Sequence, residues 1–307
     1  MLFAAGLVLI ILGGNKFVDA AVAIAKRLGI SELIIGATIV SLGTTLPEVL
    51  VSTTAGLQGS ADIATGNAFG SIICNTAFIA GLTQLIRPTQ GIDTKSLKWR
   101  VFFFYAAGAV CLAFGLGMQY YGLAAGLILI GLFVIYAWLN ITVKGEASAE
   151  AADEADTAQQ RPLWFHLLVL VVTAAMLYFG AQLLVDNGIV LAELAGVPER
   201  VIGVTLIALG TSLPELVTAI TSLIKGHASV SIGNIVGANL LNFLLVIGIP
   251  SVLCGVTPST LSVTRDLPIA LGVMAVLTVP MILRKRGSRI QGALLVAGYI
   301  AYCVWQF

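Results

Sequence analysis

The chain has 307 residues, of which 58% are hydrophobic and 10% are charged, and its mean hydropathy is +1.01. This composition excludes a water-soluble globular protein, and the net charge of +1 excludes a global field that would attract nucleic acid. Apolar runs of about 20 residues recur, which is the length a helix needs to cross the hydrocarbon of a bilayer. Because the runs are continuous rather than alternating, we predict an all-α polytopic membrane protein and not a barrel of strands.

Ten transmembrane helices are predicted from these runs. The first run leads into further spans without a small-residue cleavage site, so we interpret it as a retained helix and not a cleaved signal. The approximate spans are 2–26, 34–57, 63–86, 98–117, 121–141, 163–192, 201–224, 230–254, 266–283 and 289–306.

One clearly soluble stretch divides the spans into five and five. Residues 144–162 are rich in alanine and acidic residues, and are too short and too poor in apolar residues to fold alone. We therefore predict a first five-helix repeat at 1–143, a linker at 144–162 and a second five-helix repeat at 163–307.

The basic residues of the predicted loops are distributed unevenly. With the N-terminus outside, 13 of the 16 Lys and Arg residues fall in cytoplasmic loops, 2 fall outside and 1 lies within the first span. The positive-inside rule therefore predicts an N-out/C-out topology with a cytoplasmic linker. Five spans in each half bring the two halves into the membrane from opposite sides, which predicts an inverted-topology repeat.

A stretch of 40 residues occurs twice. Residues 36–75 are matched by residues 203–242 at a constant separation of 167 positions, and 15 positions are identical. The identical residues are mostly Gly, Thr, Pro, Glu and Asn, whereas unrelated membrane helices would resemble one another in Leu, Ile and Val. We interpret the two copies as the halves of one cation site.

The first part of each copy contains an eight-residue motif, SLGTTLPE at 41–48 and ALGTSLPE at 208–215. Its glycine weakens a helix and its proline removes a backbone donor, so we predict a broken helix with free carbonyls near 41–43 and 208–210. Such backbone is tolerated at this depth only where it is buried in protein or lines a polar cavity. Carbonyls, hydroxyls and a carboxylate together predict a hard-oxygen site for Na⁺ or Ca²⁺.

The spacing Thr45-x-x-Glu48, repeated as Ser212-x-x-Glu215, also fits a capping box that opens the second half-helix. Capping is thus an alternative role for Thr45 and Ser212, and the two roles can coexist. It explains the glutamates poorly, because a carboxylate at the centre of a membrane helix costs roughly 3 kcal/mol to insert and a glutamine would cap without that cost. We therefore predict that Glu48 and Glu215 are functional.

Each copy ends with a second motif, GNAFGSIICN at 66–75 and GNIVGANLLN at 233–242. Ser71 and Asn75 are four residues apart and share one helix face. Asn75 and Asn242 occupy equivalent positions, and their amide oxygens could face a cation or form interhelical hydrogen bonds.

The remaining polar residues of the spans are assigned weaker roles. We favour capping or packing for Asn67 and Asn234, and a structural or gate-lining role for Asp19 and Asp186. The four cysteines and two histidines lie alone and lack metal-ligand spacing, so they predict no soft-metal site.

The paired motifs GTTLPE with GNxxGSxxxN, and GTSLPE with GNxxGAxxxN, resemble those of the sodium/calcium exchanger family of the cation/calcium antiporter superfamily. The resemblance covers essentially the whole chain, and the short linker is similar to that of microbial members. It implies four cation sites at mid-membrane, formed by spans two, three, seven and eight. The implied ligands are the carboxylates of Glu48 and Glu215, hydroxyl or carbonyl oxygens of Thr44, Thr45, Thr211 and Ser212, backbone carbonyls of Ser41 and Ala208, and the side chains of Ser71, Asn75 and Asn242.

Two positions depart from the family pattern. Ala238 stands where many members have Ser, which removes one hydroxyl ligand, and Asn242 stands where some members have Asp. The motif therefore has two carboxylates, which argues against potassium dependence. The glutamate that the proton-coupled branch usually carries shortly after its Gly-Asn pair is not present, which disfavours that branch.

The resemblance implies a secondary active antiporter that exchanges Na⁺ for Ca²⁺ by alternating access, with cations bound mid-membrane between the two glutamates. The alternative is an antiporter of Ca²⁺, or another cation, and H⁺ that uses the same glutamates as proton carriers. Motifs of intramembrane hydrolases are not present in the sequence, so we expect no enzyme. We expect no cofactor, no nucleic acid and no obligate protein partner. The expected partners are Ca²⁺, Na⁺ and the lipid bilayer of a prokaryotic inner or plasma membrane, which the chain crosses several times.

Overall fold

A computed structural model describes residues 2–142, 161–194 and 208–305. Apart from one isolated bridge between Tyr121 and Val256, the regular structure in these ranges is helical. This confirms the all-helical prediction. The main helices are α1 Leu2–Leu28, α2 Glu32–Leu57, α3 Ala61–Ile86, α4 Thr94–Gly117, α5 Leu123–Thr142, α6 Leu163–Leu194, α7 Leu213–Ile224, α8 Ala228–Leu253, α9 Ser262–Arg284 and α10 Arg289–Trp305.

Eight helices in the described part of the chain are long and apolar enough to cross a membrane. The apolar helices α7 and α10 are shorter, at 12 and 17 residues. The predicted seventh span begins at 201, and its first seven residues lie outside the described ranges, as does most of the predicted linker. A multi-pass membrane protein is thus confirmed, while the inverted repeat, the N-out/C-out topology and the repeat boundaries stay predictions.

The sequence repeat is also a repeat of helix bounds. Helices α3 and α8 begin at Ala61 and Ala228 and end at Ile86 and Leu253, and each pair is separated by the same 167 positions as the motifs. Both contain a π-helical stretch, at Cys74–Ala80 and Asn242–Ile247. The two copies of the second motif therefore fold alike, including an irregular turn of a kind that is frequent at functional sites.

The chain divides into two compact units, and each unit draws on both predicted repeats. The first unit consists of the described parts of 1–44 and 144–234. In it α1 packs along α6 and α7 around a buried apolar core that includes Phe17, Val18 and Leu177. This core supports α7, which carries one of the two predicted glutamates.

Helices α2 and α8 cross at two glycines within the first unit. A Cβ at Gly36 would lie 2.5 Å from the carbonyl oxygen of Val230, and a Cβ at Gly233 would lie 2.4 Å from that of Leu33. Only glycine allows the backbones to approach this closely. Gly36 is the first residue of the first 40-residue copy, and Gly233 is the first residue of the GNIVGANLLN motif. Glycines of the repeat therefore form the crossing that brings the start of α2 against α8.

The second unit consists of the described parts of 45–143 and 235–307. Its centre is a buried aromatic cluster in which the ring centroids of Phe69 and Phe104 lie 6.1 Å and 5.0 Å from that of Phe243. The fully buried guanidinium of Arg100 donates to the side-chain oxygen of Asn140 at 2.8 Å, which joins α4 to α5. These contacts stabilise the helices that surround α3 and the later part of α8.

Candidate cation-binding site

The first copy of the GTxLPE motif lies in a helix that does not break. A π-helical stretch covers Gly36–Val40, and an α-helix then runs from Ser41 to Leu57 with Pro47 inside it. The predicted break near 41–43 is therefore wrong for this copy: the irregular turn ends one residue before the motif. Proline removes a single N–H, and the surrounding turns of the helix keep their hydrogen bonds.

The second copy is interrupted, but at Ser212 rather than at 208–210. A four-residue helix, Ala208–Thr211, ends there, and α7 begins at Leu213 with Pro214 in its first turn, where a missing N–H costs nothing. Ser212 has φ −90° and ψ 6° and precedes the first residue of α7. Residues 201–207, the first part of the seventh predicted span, lie outside the described residues.

The hydroxyl cap expected of a capping box is not formed in either copy. Thr45 lies inside a continuous helix, so there is no helix start for it to cap. Ser212 occupies the N-cap position of α7 but its side chain makes no capping hydrogen bond, and its hydroxyl is buried without a hydrogen-bond partner among the described residues. The Ser212 hydroxyl therefore does not cap α7.

Both glutamates are buried. Glu48 and Glu215 are each 1% exposed, Glu48 in the second unit and Glu215 in the first. Asn67 donates its side-chain amide to the backbone oxygen of Glu48 at 3.1 Å and to Ser52 Oγ at 2.8 Å, which ties α2 to α3. The packing role predicted for Asn67 agrees with these contacts, and they position Glu48.

In the first unit, oxygen atoms gather where α2 crosses α8. The Thr44 hydroxyl lies 3.2 Å from Asn234 Oδ1 and 3.4 Å from the carbonyl oxygen of Ser41, and all three residues are buried. The Ser41 hydroxyl donates to the carbonyl oxygen of Thr38 at 3.0 Å. Thr211 is half-buried, and the side chain of Ala208 lies outside the described part of the structure.

In the second unit, the paired asparagines lie in the two π-helical stretches. Asn75 and Asn242 are 0% and 1% exposed, and neither side-chain amide has a hydrogen-bond partner among the described residues. Within the described ranges, these amides therefore form none of the interhelical hydrogen bonds that were the alternative role. Thr45 and Ser71, both buried, belong to the same unit.

Some buried polar residues were missed by the sequence reasoning. Asn239 donates to Thr76 Oγ1 at 2.6 Å, and its own Oδ1 is buried without a partner among the described residues. The buried hydroxyls of Thr218 and Ser222 follow Glu215 along α7. The repeat could not identify these three, because their matches in the first copy are Ile72, Val51 and Ala55.

Two ion pairs lie at one end of α7, in the first unit. Asp19, for which we predicted a structural or gate-lining role, accepts from Lys225 Nζ at 2.6 Å. His227, which we expected to stand alone, lies 2.6 Å from Glu32 Oε1 through its Nδ1. These pairs connect the α7–α8 turn to α1 and to the start of α2.

The buried candidate ligands of both units are hard oxygen donors. Each unit holds one of the two motif carboxylates, Glu215 in the first and Glu48 in the second, together with buried hydroxyls, amides or carbonyls. The described residues contain no group of three or more His, Cys, Asp and Glu side chains that could hold a metal ion. Oxygen donors with few charges suit Na⁺ and Ca²⁺ better than the softer transition metals.

The chain is similar in sequence to a family of membrane transporters and to individual members of it. Residues 1–142 and 165–307 match the model of a family described as sodium/calcium exchanger protein. The inner membrane protein YrbG of Escherichia coli (strain K12) is 32% identical over 316 residues, which cover 98% of this chain and 94% of that protein. The sodium/calcium exchanger MaX1 of Methanosarcina acetivorans is 27% identical over 337 residues, covering 98% and 96%.

The fold is similar to a solved transporter. A structure of the sodium-calcium exchanger NCX_Mj, soaked with Na⁺ and Sr²⁺, superimposes with a TM-score of 0.81 at 27% sequence identity. The superposition covers 98% of this chain and 96% of that one. The similarity therefore extends over both predicted repeats and not over one motif.

Proposed function

Because the chain belongs to the sodium/calcium exchanger family, a family of membrane antiporters and not of enzymes, we propose that it exchanges Na⁺ for Ca²⁺ by alternating access. Na⁺ entry drives Ca²⁺ export in this proposal. The observation that carries it is the burial of two carboxylates, Glu48 and Glu215, at matched positions of a repeated motif.

The burial of these carboxylates has a physical cost that a transported cation offsets. A charged carboxylate within a membrane helix is expensive unless a cation or a proton neutralises it. We propose that Glu48 and Glu215 ligate the same transported ions, with neutral oxygens from Thr44, Thr45 and Asn75 completing the coordination. Further proposed ligands are Ser41, Ser71, Ala208, Thr211, Ser212 and Asn242.

Competition between ions makes the transport an exchange. Na⁺ and Ca²⁺ would bind the same two carboxylates, so the site carries one or the other. Without a cation the site is doubly negative, and moving it across the membrane is unfavourable. The free energy of Na⁺ binding on one side is therefore coupled to Ca²⁺ release on that side.

Proton coupling is the rival function, since the same glutamates could carry protons. Reconstituted proteoliposomes discriminate the two. We expect an outward Na⁺ gradient to drive Ca²⁺ uptake at equal pH on both sides, and a pH gradient in Na⁺-free buffer to drive none. Uptake that needs only the pH gradient would overturn the Na⁺-coupled proposal.

A further inference from the structure

One face of α7 carries buried hydroxyls beyond Glu215. Thr218 and Ser222 are both 0% exposed, and neither hydroxyl has a hydrogen-bond partner among the described residues. They follow Glu215 by three and seven residues, so at 3.6 residues per turn all three side chains lie on one face of the helix.

The opposite face of α7 holds the helix in place. A Cβ built at Gly14 of α1 would lie 2.6 Å from Val217 Cγ1 and 3.4 Å from Thr221 Oγ1. Leu213 and Val217 also pack against the apolar core of the first unit. The hydroxyl face is therefore not needed to pack α7 on α1.

Other helical hydroxyls of this chain donate a hydrogen bond to the carbonyl oxygen four residues earlier. Thr173 donates to the carbonyl oxygen of Val169, and Thr278 to that of Met274, each at 2.7 Å. This bond to the preceding turn is the usual solution for a buried serine or threonine. Neither Thr218 nor Ser222 makes this bond with a described residue, and a buried polar group without a partner has an energetic cost.

The hydroxyls occur in one copy of the repeat only. Their matches in the first copy are Val51 and Ala55, so the shared ion-binding chemistry does not require them. If the two copies face opposite sides of the membrane, a feature of one copy serves one side.

We propose that Thr218 and Ser222 line the route by which a transported cation reaches Glu215 from the Lys225 end of α7. Ser222 lies about 10 Å along the helix axis from Glu215 and two residues before the end of α7 at Ile224. Hydroxyl oxygens on this route replace water ligands as the cation loses its hydration shell. The proposal rests on the exchanger function proposed above.

The positive charge of Lys225, at the mouth of this route, is paired with a carboxylate. Lys225 Nζ donates to Asp19 Oδ1 at 2.6 Å and to the carbonyl oxygen of Asn15 at 2.7 Å. The carboxylate neutralises the ammonium group, so the repulsion that a lone lysine would exert is reduced. Because Thr218 and Ser222 are fully buried here, the route is closed in this conformation and opens in another step of the cycle.

Cysteine accessibility tests the route without relying on transport. In full-length protein carrying Cys254→Ser and Cys303→Ser, Ser222→Cys is treated in oriented membrane vesicles with a membrane-impermeant cationic methanethiosulfonate. Thr221→Cys is the matched control, since it lies at the same depth but faces α1. We expect labelling of Ser222→Cys from the Lys225 side at least about tenfold faster than that of Thr221→Cys, because only an accessible thiolate reacts. Equal rates, labelling from the other side, or no labelling of Ser222→Cys would overturn the proposal.

A transport measurement tests the role of the hydroxyls. The double variant Thr218→Val, Ser222→Ala carries the residues of the first copy. We expect its KM for Ca²⁺ to rise about fivefold from the Lys225 side, as for the loss of one or two polar contacts, and to stay unchanged from the other side. An unchanged or equally raised KM on both sides would contradict the proposal.

The two experiments separate failure of the route from failure of the proposed function. If the parent protein shows no Na⁺-driven Ca²⁺ flux, the exchanger function fails, while the labelling pattern still decides whether the hydroxyl face becomes accessible. If the parent exchanges Na⁺ for Ca²⁺ and Ser222→Cys is not labelled, the exchanger function stands and the route is wrong.

Discussion

The side chains of Asn75 and Asn242 are buried amides whose hydrogen bonds are not met by the described residues. An unmet buried amide costs about 1–3 kcal/mol, so we expect these two positions to lower the stability of the ion-free protein. A residue that lowers stability at a matched position of a repeat is typical of a ligand site and not of packing.

This argument predicts opposite effects on stability and on ion binding. We expect Asn75→Leu and Asn242→Leu to leave the melting temperature in ion-free detergent unchanged or higher, because an unmet polar group is replaced by an apolar side chain of similar size. We also expect the rise in melting temperature on adding Ca²⁺ to be reduced, since a ligand is lost. Thermal unfolding with and without Ca²⁺ measures both effects.

Asn239 provides the control for these variants. Its amide donates to Thr76 Oγ1 at 2.6 Å in the same unit, so Asn239→Leu breaks a buried hydrogen bond and should lower the melting temperature in ion-free buffer. If Asn75→Leu or Asn242→Leu is destabilised as much as Asn239→Leu, the asparagines are structural and not ligands.

The carboxylates permit a second prediction at the scale of the residue. We expect Glu48→Gln and Glu215→Gln to abolish Na⁺-driven Ca²⁺ uptake while the protein still folds, because the amide keeps the shape of the side chain but removes its charge. The loss should exceed about 100-fold in Ca²⁺ affinity, as for removal of a buried charged partner. Flux into proteoliposomes and Ca²⁺-dependent melting are the measurements.

Asp62→Asn is the matched control, because Asp62 is an exposed acidic residue in the first turn of α3. It should retain uptake. Exchange at the parental rate in either glutamine variant would show that the carboxylate concerned is not part of the site.

The repeat determined how much of the site could be predicted. Positions identical in both copies, such as Glu48 with Glu215 and Asn75 with Asn242, could be identified. Identical polar residues at matched positions of two apolar stretches are not expected by chance. The role of Asn239 could not be predicted, because its partner Thr76 is 163 residues away in the chain and its match in the first copy is apolar. Contacts of this kind depend on tertiary packing, which a linear pattern does not contain.

At the scale of the element, helix α2 shows where local propensity is insufficient. Glycine and proline in the GTTLPE motif predicted a break, yet the helix continues through Pro47 to Leu57, with its irregular turn at Gly36–Val40. Proline removes one hydrogen bond, whereas a full break in a membrane-spanning helix would expose several backbone groups. The same motif is interrupted at Ser212 in the second copy, so the residues permit a break without requiring one.

The crossing of α2 and α8 leads to a prediction about packing. We expect Gly36→Ala and Gly233→Ala to destabilise the protein by about 1–3 kcal/mol or more, as overpacking does, because the new Cβ would lie 2.5 Å and 2.4 Å from backbone oxygens. Backbone atoms cannot rotate away as a flexible side chain can. The midpoint of thermal unfolding in detergent measures the effect.

Gly272→Ala in α9 is the control for the crossing, since a Cβ there would meet no heavy atom of the described residues within 4 Å. Alanine has the higher helix propensity, so this variant should unfold at the same or a higher temperature. If Gly36→Ala and Gly233→Ala behave like Gly272→Ala, the close crossing does not exist in the native protein.

At the scale of the whole molecule, composition and periodicity were sufficient for the class of fold. Continuous apolar runs predicted helical spans, and eight of the described helices meet the length and composition needed to cross a membrane. The compact units were not predictable, because each joins parts of both repeats and a boundary falls inside the GTTLPE motif. Chain order cannot reveal which helices of a repeat pack together.

Topology is the prediction that belongs to the whole molecule, and it rests on the uneven distribution of Lys and Arg. An N-out/C-out chain places the α8–α9 connection outside and the α3–α4 connection inside. Cys254, an exposed native cysteine, lies in the first connection, and Gln90, also exposed, lies in the second. The orientation in the membrane can therefore be measured by labelling cysteines at positions 254 and 90.

In a Cys303→Ser background, we expect a membrane-impermeant maleimide to label Cys254 on intact cells. A Gln90→Cys variant that also carries Cys254→Ser should be labelled only after the membrane is permeabilised. The reverse pattern would place the N-terminus inside, and labelling of both positions on intact cells would exclude a single orientation. The orientation also decides the proposed cation route, because the Lys225 end of α7 lies on the same side as the α3–α4 connection in this topology. Labelling of Cys254 from outside together with labelling of Ser222→Cys from inside would thus assign the hydroxyl route to the cytoplasmic side.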